Sequence, residues 1–398
     1  MTALGIPAMS LVTPLGLGKA KNAAGLFRGM RDGLGHDFSL VSGKSVPVGR
    51  VAAELPEIPS ALADYNCRNN RLMLAALAEI VDGVADAVGR YGSDRVAVVL
   101  GTSTAGIAEG EDAWAAYRRD GAWPAGYRYS RQETGNLAEF VARWFWLTGP
   151  AYTVATACSS SGKTFAAARR LIAAGLCDAA VVGGADSLCR LTLNGFASLE
   201  AISNAPCNPF SANRSGITIG EGAAAFLLTR DPAPVALLGA GECSDAHHVS
   251  APDPSGQGAE AAMRLALEDA GLVAGDIAYV NLHGTATPLN DAMESKAMAA
   301  VFPPETPCSS TKGMTGHLLG AAGACEAAFL WLSLHPAFNP DRLLPPHLWD
   351  GVPDPALPPL ALVVQGTRVP EWQTLAMLSN SFAFGGNNVA LVLGQGMT

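Results

Sequence analysis

Short apolar β-branched runs alternate with alanine-rich helical stretches along this chain, and that alternation restricts its fold more than any other feature. "RVAVVL" (95–100) predicts a buried strand that ends in "GTSTAG". Residues 158–174 have helical spacing and are followed by Gly175 as a C-cap, and "DAAVVG" (178–183) predicts the next strand. The pattern then returns. Residues 277–282 predict a strand running into "HGTAT", residues 316–334 a second alanine-rich helix, and 375–380 and 389–393 two late strands. The fold class is α/β.

The echo between "GTSTAG" and "HGTAT", and between the two small-residue helices, suggests two related halves. Chance similarity among Ala/Gly-rich segments is the competing explanation. The composition break at "TRDPAPVALLGAGECSD" divides the chain into 1–240 and 241–398, and the proline-rich stretch 336–359 predicts a surface loop.

Bulk properties exclude several function classes. A net charge of −9 over 398 residues argues against a nucleic-acid binder. Eight cysteines form no CxxC pair and no regular framework, so neither a metal site nor disulfides are expected, and the thiols read as reduced and cytoplasmic. The N-terminal "MTALGIPAMSLVTPLG" has no basic n-region and predicts a first strand and turn. The most apolar stretch, "FVARWFWLTGP", is interrupted by Arg143 and stopped by Gly149 and Pro150, so no membrane insertion is expected.

Four segments can carry chemistry. Cys158 in "VATACSSSGK" sits at the first turn of a predicted helix, where the dipole favours a thiolate and free N–H groups can hold an oxyanion. A small residue packed at a tight turn is the equal alternative. His283 follows a predicted strand and His317 opens a predicted helix, both at element ends where α/β folds place their sites. The other histidines (His36, His247, His248, His335, His347) read as structural or solvated. Lys312 lies in the loop before His317, in a small-residue setting that could admit a phosphate or carboxylate. Asp291 and Glu294 read better as an acid-rich first helical turn than as catalysts. In "SNSFAFGGNN", Phe384 beside two glycines is either a hairpin bulge or an N–H donor with a movable ring.

Taken together, "TACSSS", "NPFSANRSGITIGEGAA", "HGTATPLND", "KGMTGHLLGAAG" and "NSFAFGGNN" resemble, in order and spacing, the elongating β-ketoacyl-acyl-carrier-protein synthases. The resemblance covers essentially the whole chain. It implies a thiolase-like fold of two related halves, each with a five-stranded mixed sheet, layered α-β-α-β-α. It implies that Cys158 accepts an acyl chain, that His283 and His317 promote decarboxylation of a malonyl thioester, and that Lys312 and Glu326 support them. It further implies an oxyanion hole from the N–H groups of Cys158 and Phe384, with Phe384 as gate, and pantetheine contacts from Thr285 and Thr287. No metal and no cofactor are implied, since substrates ride on the phosphopantetheine of an acyl carrier protein. The implied assembly is a homodimer, or a heterodimer with a cysteine-less chain-length-factor homologue.

"LTLNGFASLEAIS" narrows the resemblance toward ketosynthases of aryl polyene clusters. Three departures stand out. Gly313 replaces serine or alanine and is expected to loosen its loop; Ala383 replaces glycine and is expected to stiffen the Phe384 hinge. Ser211, Asn213 and Ser215 replace the usual acids, which puts the salt bridges of Arg214 in doubt. An acidic carrier protein needs a basic landing patch, for which Arg68 and Arg71, or Arg118 and Arg119, are the candidates, with ordinary solvated charge as the alternative. A carrier-protein acyltransferase of the same fold and a non-elongating partner subunit are the competing functions.

Overall fold

The computed structural model describes residues 3–371 and 375–396; the side chains of residues 36 and 37 lie outside the described set, and with them the reading of His36. In chain order the elements that matter are β1 (Leu4–Thr13), α1 (Arg68–Leu77), β2 (Val96–Gly101), α2 (Asn136–Trp144), β3 (Ala151–Val154), α3 (Ser160–Ala173), β4 (Ala179–Asp186) and β5 (Gly222–Thr229). There follow β6 (Val235–Ser244), α4 (Gln257–Ala270), β7 (Ile277–Asn281), α5 (Pro288–Val301), β8 (Pro307–Ser309), α6 (Ala322–Leu334), β9 (Ala376–Ala383) and β10 (Asn387–Gln395).

The first five strands are ordered β3-β2-β4-β5-β1 and the last five β8-β7-β9-β10-β6, the same order by rank. Pairing repeats too. β2 runs parallel to β3 and β4, and β5 is antiparallel to β4 and β1; β7, β8, β9, β10 and β6 copy this. The faint echo in the sequence is therefore a repeated topology. The two sheets join edge to edge where β1 meets β6, with Leu4 opposite Leu237. The division at residue 240 falls inside β6, the first strand of the second sheet.

Buried on both faces, β2, β4 and β5 expose no residue, which is why they read as unbroken apolar runs. Helices α3 and α6 form the middle layer, since each touches strands of both sheets; α1 and α2 cover the outer face of the first sheet and α4 that of the second. Small residues let the middle helices approach closely. A Cβ on Gly323 of α6 would stand 2.8 Å from the Gly162 backbone nitrogen of α3.

The helix expected over 316–334 starts at Ala322. Gly316 and Leu319 both take positive φ, +72° and +48°, and turn the chain into an irregular loop that carries His317. Among the described residues, no helix is long and apolar enough to cross a membrane.

Candidate active site

Cys158 lies in the 3₁₀ turn Ala157–Ser159, between β3 and α3. Ala157 is forced to φ +51°, which tips the thiol toward the second half. The neighbouring serines lock this turn: Ser159 and Ser160 donate back to the Thr156 and Ala157 carbonyls, at 2.9 and 2.6 Å. The Sγ stands 3.0 Å from His317 Nε2. The His317 and His283 rings meet edge to face, centroids 5.2 Å apart. All three side chains are buried, and their ligand atoms lie within 4.8 Å of one another. The convergence of two imidazoles on the thiol favours the reactive reading of Cys158 over simple packing.

Each histidine is held through its own backbone. The His317 N–H donates to the Thr218 carbonyl at 2.6 Å, and its carbonyl accepts from Gly220 N at 2.9 Å. This clamps the loop to the "ITIG" run. The N–H groups of His283 and Gly284 donate to the two oxygens of Glu294, at 2.8 and 2.7 Å. Asp291 likewise accepts from Phe210 N at 2.7 Å and Ala286 N at 3.2 Å. These two acids, read in sequence as an acid-rich first helical turn, lie in the first turns of α5, are fully buried and position the histidine loop. Asp186, at the end of β4, does the same from the first half. It accepts from Ser103 N and Thr104 N, both at 2.8 Å, and from Gly320 N at 2.5 Å, tying "GTSTAG" to the His317 loop.

Burial also sets the charge states. Desolvation pushes the Cys158 thiol up to about 12, against the opposing pull of the Lys312 charge and of the N–H groups of Phe384 and Cys158. The helix dipole therefore does not by itself make a resting thiolate here. Desolvation, with the Lys312 charge second, holds both imidazoles well below their ordinary value, so both are neutral near pH 7. Lys312 and Glu326 are buried and in direct ionic contact. Glu294 is raised from 4.5 to about 7 and Asp291 from 3.8 to about 6, chiefly by desolvation.

The sign of that last shift is testable. A carboxyl with a raised folded value stabilises the fold fully below its ordinary value and loses that contribution as pH rises through the folded one. Stability is expected to fall between about pH 4.5 and 7, and Glu294→Gln to flatten that slope while loosening the His283 loop. Denaturation midpoints across that window check this. A slope unchanged by the substitution excludes Glu294 as its source.

A cavity of about 280 Å³ opens onto the triad, lined also by Thr285, Thr287, Phe196 and Phe384. Thr287 caps α5, and the two threonine hydroxyls are 3.1 Å apart at the wall. Phe384 follows β9, its ring 5.4 Å from that of Phe196. Lys312, Glu326, His283 and His317 are thus gathered as expected, with Phe384 N–H directed at the sulfur.

The departures resolve differently from expectation. Ala383 sits at φ −113°, ψ 154°, ordinary extended backbone that requires no glycine. The positive φ falls on Gly385 and Gly386, and a Cβ on Gly386 would stand 2.8 Å from Asp245 Cβ. Ala383→Gly is expected to leave turnover within about twofold, and Gly386→Ala to lower it at least tenfold; steady-state rates of both variants decide this. Gly313 is tight instead of loose, since a Cβ there would stand 2.8 Å from the Leu348 carbonyl. The acids missing near Arg214 come from elsewhere. Arg214 pairs with Asp354 at 2.6 Å, and Ser211 and Asn213 donate to Asp350, both at 2.8 Å.

Of the docking candidates, Arg68 is half-buried, its guanidinium bonded to the buried Glu221 at 2.5 and 2.8 Å. Arg71 pairs with Glu57 at 2.9 Å and Arg119 with Asp120 at 2.8 Å, while Arg118 is exposed.

Two family models match the chain: the β-ketoacyl synthase N-terminal domain over residues 49–233 and the C-terminal domain over 235–345. The 3-oxoacyl-[acyl-carrier-protein] synthase 2 of Rhizobium meliloti is 38% identical over 267 residues, 62% of this chain and 61% of that protein. The Staphylococcus aureus protein of the same name is 33% identical over 261 residues, 61% of this chain and 63% of that protein. The match thus spans about three fifths of these curated relatives. Among solved structures, a ketosynthase of Xenorhabdus doucetiae in complex with its chain length factor superposes with a TM-score of 0.93 at 45% identity, covering 99% of this chain and 98% of that one. A β-ketoacyl synthase of Burkholderia phymatum gives 0.86 at 27% identity, covering 99% of this chain and 100% of that one.

Proposed function

The chain belongs to the β-ketoacyl synthase family, and from that premise we propose that it catalyses decarboxylating Claisen condensation of an acyl chain with a malonyl thioester, both delivered on an acyl carrier protein. The observation that carries this is the buried Cys158–His317–His283 constellation beside the Lys312–Glu326 pair, at the foot of a cavity walled by Thr285 and Thr287.

In this reading Cys158 Sγ attacks the acyl thioester, the phosphopantetheine thiol leaves with the proton, and an acyl-enzyme remains. The N–H groups of Cys158 and Phe384 stabilise the oxyanion. Malonyl-carrier protein then enters and loses carbon dioxide while His283 and His317 hydrogen-bond its thioester oxygen. The enolate carbon attacks the acyl-Cys158 carbonyl, the Cys158 sulfur departs, and a β-ketoacyl thioester two carbons longer is released. The similarity to a ketosynthase solved with its chain length factor supports assembly with a cysteine-less partner, and the aryl polyene resemblance supports a polyene product class.

Intact-mass analysis with a panel of acyl-carrier proteins, with Cys158→Ala as control, and carbon dioxide release from malonyl-carrier protein test the reading together. Acylation of Cys158 without any carbon dioxide would reject the synthase and leave an acyltransferase.

A second subunit has an evident landing place. β3 ends the sheet, and Val98 N→Pro150 O and Thr102 N→Val154 O show its even-numbered residues facing β2, so Ala151 and Thr153 face the free edge. Among the described residues, the exposed aromatics Trp114, Trp123, Tyr129, Trp146 and Tyr152 all fall between 114 and 152 in the sequence, with Tyr152 on β3 itself and Trp146 shortly before it. Ala151→Pro removes one outward N–H without touching the ladder, and is expected to raise the subunit dissociation constant about tenfold or more. Sedimentation of the variant at unchanged affinity would clear this edge of the role.

A further inference from the structure

Cys158, His283 and His317 form the one group of three soft or imidazole ligands that converges among the described residues. Their ligand atoms lie within 4.8 Å of one another, and the closest pair, Cys158 Sγ and His317 Nε2, is 3.0 Å apart. Around a tetrahedral zinc ion with Zn–S near 2.3 Å and Zn–N near 2.0–2.1 Å, adjacent ligand atoms stand about 3.3–3.6 Å apart. The cysteine–histidine pair must open by a few tenths of an ångström and His283 must close by about one. The three ligand atoms already share one small volume, and the cavity that all three residues line leaves the fourth position open.

We propose that this triad reversibly captures a thiophilic divalent cation, with zinc as the representative, and that capture competes with acylation of Cys158. The ion takes the sulfur lone pair and both imidazole lone pairs, and the thiol proton leaves to solvent, so one proton is released per ion bound. No oxidant or reductant is needed. The capture rests on the geometry of the three side chains and does not depend on the condensation reading.

Two features decide between a resident and a transient ion. Resident zinc histidines pass their second nitrogen to a carboxylate or carbonyl. Here the Nδ1 atoms of both His283 and His317 have no partner among the described residues. The Lys312 ammonium also lies close enough to bias both rings against positive charge, although Glu326 partly offsets it. Both features weaken the site. The ion therefore acts as a reversible stopper that masks the thiol until a chelating partner or acyl donor displaces it.

The test uses purified chain with no acyl donor. Zinc sulfate is titrated, bound metal is counted, and alkylation of Cys158 by iodoacetamide is followed by peptide mass spectrometry. The expected result is one ion per chain, protection of Cys158, recovery on adding EDTA, and a thiolate-to-metal charge-transfer band when cobalt replaces zinc. His283→Ala and His317→Ala should each weaken capture at least about tenfold, whereas Cys243→Ser, at a partly exposed cysteine away from the triad, should leave it unchanged. Alkylation of wild-type Cys158 at the same rate with and without zinc overturns the proposal without any variant. So does undiminished stoichiometric binding by Cys158→Ala. Failure of condensation with every carrier tried would leave this result untouched.

Discussion

His317→Ala is expected to slow acylation of Cys158 by about 10²–10⁴-fold, the range of a positioned general base. Burial pushes the thiol up to about 12, so Cys158 rests protonated near pH 7. Something must share that proton as the acyl group arrives. His317 Nε2, at 3.0 Å, is the side-chain nitrogen in hydrogen-bond contact with the sulfur. His283 makes no such contact, so His283→Ala should leave acylation within a few-fold while abolishing carbon dioxide release from malonyl-carrier protein. Single-turnover acylation and decarboxylation, measured separately on both variants, separate the roles. Because both imidazoles sit well below their ordinary value of 6.5, the acid limb of the rate profile should also lie well below pH 6.5. An acid limb at 6.5, or wild-type acylation by His317→Ala, would dismiss His317 as the proton partner.

Cys158, both histidines and Lys312 were legible as candidates because they occupy element ends among glycines and other small residues, where sequence is informative. The strands of the parallel core were legible for a related reason, since burial on both faces leaves an unbroken apolar run such as "RVAVVL". What escaped is the set of buried carboxylates. A lone Asp or Glu reads as a surface residue, because unpaired burial is costly. Asp186 and Glu221 are nevertheless fully buried, satisfied by partners that lie far away in the chain. Asp186 is bonded to Gly320, 134 residues on, and Arg68 to Glu221, 153 residues on. No local pattern encodes such a pair. Helical spacing likewise identified the basic face that carries Arg68 but not the buried acid bonded to it. Ala383 failed otherwise: a glycine was expected at the hinge, whereas the positive φ belongs to the two residues after Phe384.

The Lys312–Glu326 pair should behave as a device kept for chemistry at some expense of stability. Both groups are buried, Lys312 at 1% and Glu326 at 3% exposure, so removing one strands the other. Glu326→Gln leaves an ammonium among neutral imidazoles, expected to cost about 3–5 kcal/mol, and Lys312→Met leaves a carboxyl that burial already raises to about 7 and that then takes a proton, expected to cost less. The double variant Lys312→Met/Glu326→Leu removes both charges and fills the space with carbon. It should therefore be more stable than either single variant, since an apolar replacement of a buried ion pair is often neutral or better. Its acylation and decarboxylation should nonetheless stay lost, because Lys312 supplies the charge that, second to burial, keeps both imidazoles neutral and that opposes the rise of the Cys158 thiol. Denaturation midpoints and single-turnover rates on the three proteins form a complete cycle. If the double variant is as unstable as the two single losses added together, the charges are not coupled. If it regains activity with its stability, the pair is only a packing element, and the reactivity of Cys158 is set by His317 alone.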